Sequence, residues 1–163
     1  MLITLWFLGT GFKVNAVIPD NHSPFPQAVI VSEHIWQISE DTYITVTTYE
    51  EAISIRASTY TKKGACVYKL NNKSGEVLWQ FTIQGTFSVM SGVSATCTNA
   101  SYSYQIYADN WHYVGASAYY SGNSAYGNAE FNRKLLGITI ETETCSLVLS
   151  CDANGNLSET HTK

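Results

Sequence analysis

The residues of this sequence that could do chemistry are flat aromatic side chains interleaved with amides and a carboxylate. They lie in residues 111–132, where large residues alternate with alanine, serine and glycine on both sides of Gly122-Asn123. Aromatic faces bury apolar area against a sugar ring or a protein partner, while amides and carboxylates supply directional hydrogen bonds. The candidate contact residues are Trp111, Tyr113, Tyr119, Tyr126, Asn128 and Glu130.

A two-residue turn at Gly122-Asn123 predicts a β-hairpin that brings these candidates to one face. The turn pairs Tyr119 with Tyr126, and strict alternation then assigns every other side chain to a face. The opposite face is apolar and mostly small, as expected of a surface packed against a second sheet, and it includes His112 as a core histidine. The alternative is that an N-terminal strand or a neighbouring sheet covers the aromatic face, which makes the aromatics ordinary core residues.

Known catalytic and metal-binding patterns are absent from the sequence. No GxSxG, HExxH, P-loop, GxGxxG or EF-hand motif occurs. The carboxylate pairs Glu141/Glu143 and Glu50/Glu51 have nothing around them that is typical of a substrate cleft. The four histidines lie singly and no CxxC occurs, so the sequence predicts no metal and no cofactor. We expect a non-catalytic protein, and a hydrolase with an unrecognised site is the enzymatic alternative.

The elements that must position the candidates are strands. The chain has 163 residues, enough for one domain, and only 13% of them are charged. Period-two segments between regularly spaced turn signals predict an all-β fold, an antiparallel β-sandwich rich in meanders, with a small closed β-barrel as the alternative. Only HIWQISEDTY, residues 34–43, has a pattern compatible with a short helix.

A second hairpin, around Ser91-Gly92, predicts a core layer of large apolar residues. Strict alternation places Cys97 on its polar side. Either a bulge near Thr96 shifts the register, or a disulfide of Cys97 lies outside the core. The core layer comprises Val77, Trp79, Phe81, Ile83 and Phe87 with Ala100, Tyr102, Tyr104 and Ile106.

The domain organisation predicted from the sequence has three parts. Residues 1–16 resemble a secretory signal peptide, with an apolar run over residues 2–8 and small residues before the cleavage point, although a buried N-terminal strand is the alternative. Residues 17–52 are predicted to be an acidic N-terminal segment or linker with one strand, and residues 53–163 the β-sandwich domain. The apolar run is far shorter than the ~20 residues of a membrane span. We expect a secreted or cell-surface protein without membrane insertion.

The charge distribution argues against nucleic acid as a partner. The net charge is −4, and residues 17–52 contain six acidic side chains without a single Lys or Arg. The rest of the chain is nearly neutral and has no basic patch.

Export makes the four cysteines candidates for two disulfides. Cys145 and Cys151 are separated by six extended residues, too far apart to bridge each other. Two combinations remain, 66–145 with 97–151 or 66–151 with 97–145. Free buried thiols are the alternative if the chain is not exported.

Residues 53–158 resemble a group of uncharacterised small secreted proteins of Gram-positive bacteria. The shared elements are Gly85-Thr86-Phe87, residues 95–97, Trp111, residues 121–123, and Cys151 followed by Asn154-Gly155. The resemblance implies export and favours the bridge Cys97–Cys151, which leaves Cys66–Cys145 as the second. It implies no activity, ligand or cofactor.

The function predicted from the sequence is therefore a secreted, non-catalytic binding module for carbohydrate or a cell-envelope polymer. The alternative is a structural or protein-interaction factor, such as an antagonist, an immunity protein or an assembly subunit, with a protein as its partner.

Overall fold

Antiparallel strands make up most of the described chain. The structure is a computed structural model that describes residues 24–52 and 58–162. These residues form nine strands in two sheets, which confirms the predicted β-sandwich. The strands are β1 (Ala28–Gln37), β2 (Thr42–Glu51), β3 (Thr59–Asn72), β4 (Val77–Met90), β5 (Ser94–Ile106), β6 (Trp111–Ser121), β7 (Ser124–Leu135), β8 (Ile138–Cys151) and β9 (Leu157–Thr162).

Each sheet is a meander in which strands adjacent in sequence pair with each other. The five-stranded sheet has the order β1-β2-β3-β4-β5, and the four-stranded sheet has the order β6-β7-β8-β9. Short turns with glycine at positive φ, such as Gly92 and Gly122, connect successive strands. Among the described strands no pairing joins the two sheets, so the alternative of a closed barrel is wrong.

Residues 28–51 are two strands of the five-stranded sheet, whereas the sequence predicted an acidic segment with a single strand. β1 pairs with β2, and β2 pairs with β3. The stretch from His34 to Tyr43 is not a helix but the end of one strand, a bend and the start of the next. A bulge between Ile30 and Ser32 interrupts the alternation of inward and outward side chains in β1, so the sequence of this strand lacks a regular period of two. The predicted signal peptide, residues 1–16, lies outside the described residues.

Stacked aromatic rings form the centre of the core between the sheets. The ring of Trp79 on β4 stacks on Phe131 of β7, with centroids 4.1 Å apart, and on Tyr68 of β3 at 5.6 Å. Trp111 of β6 packs edge-on against Trp79 at 6.0 Å. Each aromatic pair adds about 0.5–1.5 kcal/mol beyond the area that it buries, so this cluster fixes how the two sheets are placed.

Small residues on β7 let the sheets approach each other closely, as the sequence predicted. Ala125 and Ala129 are buried, and a Cβ atom on Gly127 would overlap Ile83 of the facing sheet. The inner face of β7 is therefore fixed in orientation, and the alternate residues of β7 must point to the outside.

The β4–β5 hairpin confirms the predicted core layer on β4 but not on β5, where Tyr102 and Tyr104 are exposed, and it resolves the position of Cys97. Trp79, Phe81 and Ile83 lie on the same face as their β5 partners. A bulge at Thr98 shifts the register between Thr86 and Phe87, so that Cys97 pairs with Phe87 and is buried. The bulge is the first of the two explanations that the sequence left open.

All four cysteines are free, buried thiols, so the predicted disulfides are not present. The partners of the favoured pairing are nevertheless neighbours. The backbone N–H groups of Cys97 and Cys151 donate to the carbonyls of Gly122 and Asn123, adjacent residues of one turn, and Cys145 lies close enough to Cys66 to contribute to its raised pKa. Burial raises the pKa of Cys66 and Cys145 to about 12 and that of Cys151 to about 11. Thiolates, the reactive species in disulfide formation, are correspondingly scarce.

Candidate functional site

The candidate site is the face of the four-stranded sheet that points away from the five-stranded sheet, hereafter the outer face. The strand registers arrange its side chains in rows that cross the strands. Apart from two tyrosines, a valine, a glycine and a glutamate, these rows consist of serine, threonine and asparagine. The three central rows are Tyr119, Tyr126, Val148 and Thr160; Ser117, Asn128, Ser146 and Thr162; and Gly115, Glu130 and Thr144.

Two stacked tyrosines, Tyr119 and Tyr126, are the aromatic part of the outer face and are called the tyrosine pair below. Their ring centroids lie 4.8 Å apart and the planes are inclined by 5°. The predicted cross-strand pairing of these two residues is confirmed. Tyr119 is 53% exposed, and β2 lies in the other sheet, so residues 42–51 do not cover this face.

An open depression lies on the outer face next to the tyrosine pair, in the rows of Ser117 and Gly115. Its volume is about 360 Å³. Gly115 forms part of its lining, and a Cβ atom there would meet no heavy atom within 4 Å. Its lining combines polar side chains with small apolar groups, and the lining residues are Val114, Gly115, Ala116, Ser117, Asn128, Ala129, Glu130, Thr144, Cys145 and Ser146.

A hydrogen bond across strands connects two polar side chains of the depression. The Ser146 hydroxyl donates to Asn128 Oδ1 at 2.6 Å. Because this bond uses the carbonyl oxygen, it orients the amide of Asn128 and leaves its NH₂ group as a donor. Together with the carboxylate of Glu130, the depression offers both a donor and an acceptor to a hydroxylated ligand.

Two of the predicted contact residues are not on the outer face. Trp111 is only 3% exposed and belongs to the core, and Tyr113 stacks on Tyr104 of β5 with ring centroids 4.0 Å apart. A bulge at Val114 reverses the faces, because the register shifts between Tyr113 and Gly115. The same shift exposes His112, which the sequence had placed in the core.

The sequence did not predict the tyrosines at the open side of the sandwich, where β5 and β6 are the edge strands. Tyr102 and Tyr104 of β5 are both partly exposed there, next to Tyr113 of β6. A hydrogen bond with Tyr102 is the main cause that raises the pKa of Tyr113. The sequence did contain a signal for the bulge at Thr98. Along β5 the apolar residues change from odd positions, Ala95 and Cys97, to even positions, Tyr102 and Tyr104.

A second polar cluster joins the two sheets inside the sandwich. The largely buried carboxylate of Glu159 on β9 accepts hydrogen bonds from Ser32 Oγ at 2.7 Å and Thr48 Oγ1 at 2.9 Å. His34 Nε2 lies 3.0 Å from the other carboxylate oxygen. Both hydroxyls bond to the carboxylate, so this arrangement stabilises a buried charge and does not activate a serine nucleophile.

No protein-family model, no curated protein and no solved structure matches the chain. Within residues 24–52 and 58–162, no three His, Cys, Asp or Glu side chains are grouped to hold a metal ion. The described part of the chain also has no helix with the length and apolarity of a membrane span. The site is therefore interpreted from its own chemistry.

Proposed function

We propose that this protein is a secreted, non-catalytic binding module for carbohydrate or a cell-envelope polymer, and that it binds through the outer face of the four-stranded sheet. Tyr119 and Tyr126 provide the apolar contact, and Asn128 and Glu130 provide the hydrogen bonds. Export rests on the predicted signal peptide and on the resemblance to small secreted proteins, and the free state of the four thiols is then explained by their burial, which keeps thiolates scarce.

The observation that carries the proposal is an exposed, parallel tyrosine pair beside an open depression lined with an amide, a carboxylate and hydroxyls. A sugar ring has apolar C–H faces and a rim of hydroxyl groups. It therefore needs an aromatic surface next to hydrogen-bonding groups of both kinds, which is the combination found here.

The non-catalytic part of the proposal is supported by the positions of the carboxylates. Glu141 pairs with Arg133 at 3.2 Å, and Glu50 pairs with Lys62 at 2.6 Å. Glu51 lies 3.3 Å from Lys63. Glycoside hydrolysis by the usual route requires two carboxyl groups that flank the scissile bond, whereas Glu130 is the single carboxylate among the lining residues of the depression.

The first prediction is that the tyrosine pair is required for binding. We expect the protein to bind at least one member of a panel of glycans and cell-wall polymers, and the double variant Tyr119→Ala/Tyr126→Ala to lose that binding, because it loses the stacking surface. Calorimetry measures the affinity, and near-UV circular dichroism verifies that the variant is folded.

The matched control is Tyr120→Ala, since Tyr120 is the next residue of β6, is 52% exposed and points to the opposite face. This variant should bind like the wild type. A folded wild-type protein that binds nothing on the panel would contradict the proposal.

One observation favours a protein-interaction factor as the second candidate. The β7–β8 hairpin extends beyond the pairing of β6 and β9, and its tip exposes Leu135, Leu136, Ile138 and Ile140, with Leu136 95% exposed at φ 49°. Exposed apolar side chains grouped at one tip are unfavourable in water unless a partner covers them. Under this alternative the glycan panel gives no binding, and the tyrosine pair is dispensable.

A further inference from the structure

The stacking geometry determines which tyrosine face is open to a ligand. The spacing of 4.8 Å between the rings of Tyr119 and Tyr126 equals the distance between neighbouring strands, ~4.8 Å. The two rings therefore stand side by side across the strands, and each covers one face of the other. On its other side Tyr126 has Val148 of β8 as its register neighbour. Tyr119 lies on β6, the edge strand, so its second face is directed to the free edge of the sheet.

The remaining contact groups follow Tyr119 along the same strand. Ser117 is two residues away and Gly115 four residues away on the same face, roughly 7 Å and 13 Å from Tyr119 in an extended strand. The depression spans the rows of Ser117 and Gly115, where Asn128 and Glu130 line it. An aromatic face, a hydroxyl and a polar depression are thus aligned parallel to β6.

The charge of this surface excludes one class of ligand. Across the rows from Ser121 to Gly115, Glu130 is the only charged side chain that the described strands place on the outer face. An anionic polymer would meet a carboxylate with no Lys or Arg among these residues to compensate it, which is unfavourable in a partly desolvated site. Glu130 can instead accept hydrogen bonds from sugar hydroxyls.

We propose that the outer face binds an extended glycan chain without anionic groups, aligned along the β6 edge. One sugar unit stacks on the free face of Tyr119, and a later unit of the same chain lies in the depression against Asn128 and Glu130. This inference rests on the proposed function and specifies its ligand as a chain of several uncharged units.

The test uses oligosaccharides of one to six units titrated into the full chain by calorimetry. Two series are uncharged, β-1,4-linked glucose and β-1,4-linked N-acetylglucosamine, and one is anionic, 1,4-linked galacturonate. We expect the affinity for an uncharged series to rise at least about tenfold between one unit and four units and then to level off, since about 1.4 kcal/mol of additional contact gives this factor. At no length should galacturonate bind more tightly than the uncharged oligosaccharides.

Two variants assign the two ends of the binding site. Tyr119→Ala should lose at least about tenfold in affinity at every length, by the same conversion. Gly115→Leu fills the depression, where a side chain has open space, and should abolish the gain from longer chains while short chains bind as before. Tyr120→Ala remains the folded control with an unaltered outer face.

The outcomes separate this inference from the proposed function. Uncharged chains that bind with no dependence on length, or a preference for galacturonate, would overturn the inference and leave carbohydrate binding intact. A loss of length dependence in Tyr120→Ala would mean that the glycan does not bind to the outer face but to the opposite face of the sheet, which would overturn the inference. No binding in any series or on the wider panel would overturn both.

Discussion

At the scale of single residues, burial decides the chemistry of the four cysteines. Cys66, Cys145 and Cys151 are at most 1% exposed. Removing a thiolate from water costs far more than removing a thiol, which is why the pKa values of these groups are raised. The sequence supports a disulfide framework through the number and spacing of cysteines alone, and it contains no direct information on their solvation.

The prediction at this scale is that all four thiols are protected in the folded protein and reactive after unfolding. Iodoacetamide at about pH 8 should label the native protein slowly, because it reacts with the thiolate. Mass spectrometry should detect four added groups once a denaturant is present, without any reductant. Rapid labelling of the native protein would contradict the burial of the thiols. Failure to label the unfolded chain would show that the cysteines form disulfides.

At the scale of elements, the bulge at Val114 in β6 explains both the successes and the errors in the predicted facing of this hairpin. Near the Gly122 turn, alternation is regular and the facing of Tyr119, Tyr126, Asn128 and Glu130 could be predicted. Beyond Val114 the apolar residues change parity, from Ala116 and Ala118 to Trp111 and Tyr113. A change of parity next to a glycine is a sequence signal for a bulge, and it could have placed Trp111 in the core.

The strands β1 and β2 were harder to predict from the sequence. Residues 17–41 contain three prolines and four acidic residues without a Lys or Arg, which is typical of an exposed linker. What makes β1 a strand is its partner β2, with which it pairs from Ala28 to Gln37, together with the contacts of Ser32 and His34 with Glu159. The contacts with Glu159 join residues more than a hundred positions apart in the sequence, and no local pattern predicts them.

The prediction for β6 is that its bulge residue can be deleted. Removing Val114 leaves Tyr113 opposite Phe131 and Gly115 opposite Glu130, so both halves of the strand keep their faces. Because Val114 is exposed, we expect the free energy of unfolding to change by no more than about 1 kcal/mol. Urea denaturation measures this, and near-UV circular dichroism reports the aromatic core.

Deletion of Ala118 is the control, because it removes a residue from the regular part of the same strand. A slip of one residue reverses every side chain on one side of the deletion, so Trp111 and Tyr113 lose their places in the core. We expect a loss of about 3–5 kcal/mol, the usual cost of removing a large aromatic side chain from a core. Equal stability of the two deletion variants would contradict the role assigned to the bulge.

At the scale of the whole molecule, one end of the sandwich is joined by ionisable groups. Glu159 of β9 contacts Ser32, Thr48 and His34 of the opposite sheet, and the ring of His161 packs on Trp36 with centroids 4.0 Å apart. These contacts connect the first two strands of the described chain with the last. The packing of the two sheets at this end therefore depends on the protonation of these side chains.

Burial lowers the pKa of His161, and the neighbouring His34 lowers it further, while Glu159 opposes the shift. The unfolded chain, with the ordinary value of about 6.5, therefore binds more protons than the folded protein as the pH falls through that value. Since the free energy of unfolding rises with pH wherever the unfolded state binds more protons, His161 makes the protein less stable in mild acid.

We expect the urea midpoint of the wild type to fall between about pH 7 and pH 5, a range that stays above the ordinary pKa of carboxyl groups. The variant His161→Gln cannot take up the proton and should show a flatter profile. His112→Gln is the matched control, because His112 is exposed on the outer face of the same sheet, and its profile should follow the wild type. A midpoint that rises in mild acid would mean that Glu159 and not burial governs the pKa of His161. An equal response to both substitutions would show that the pH dependence does not come from His161.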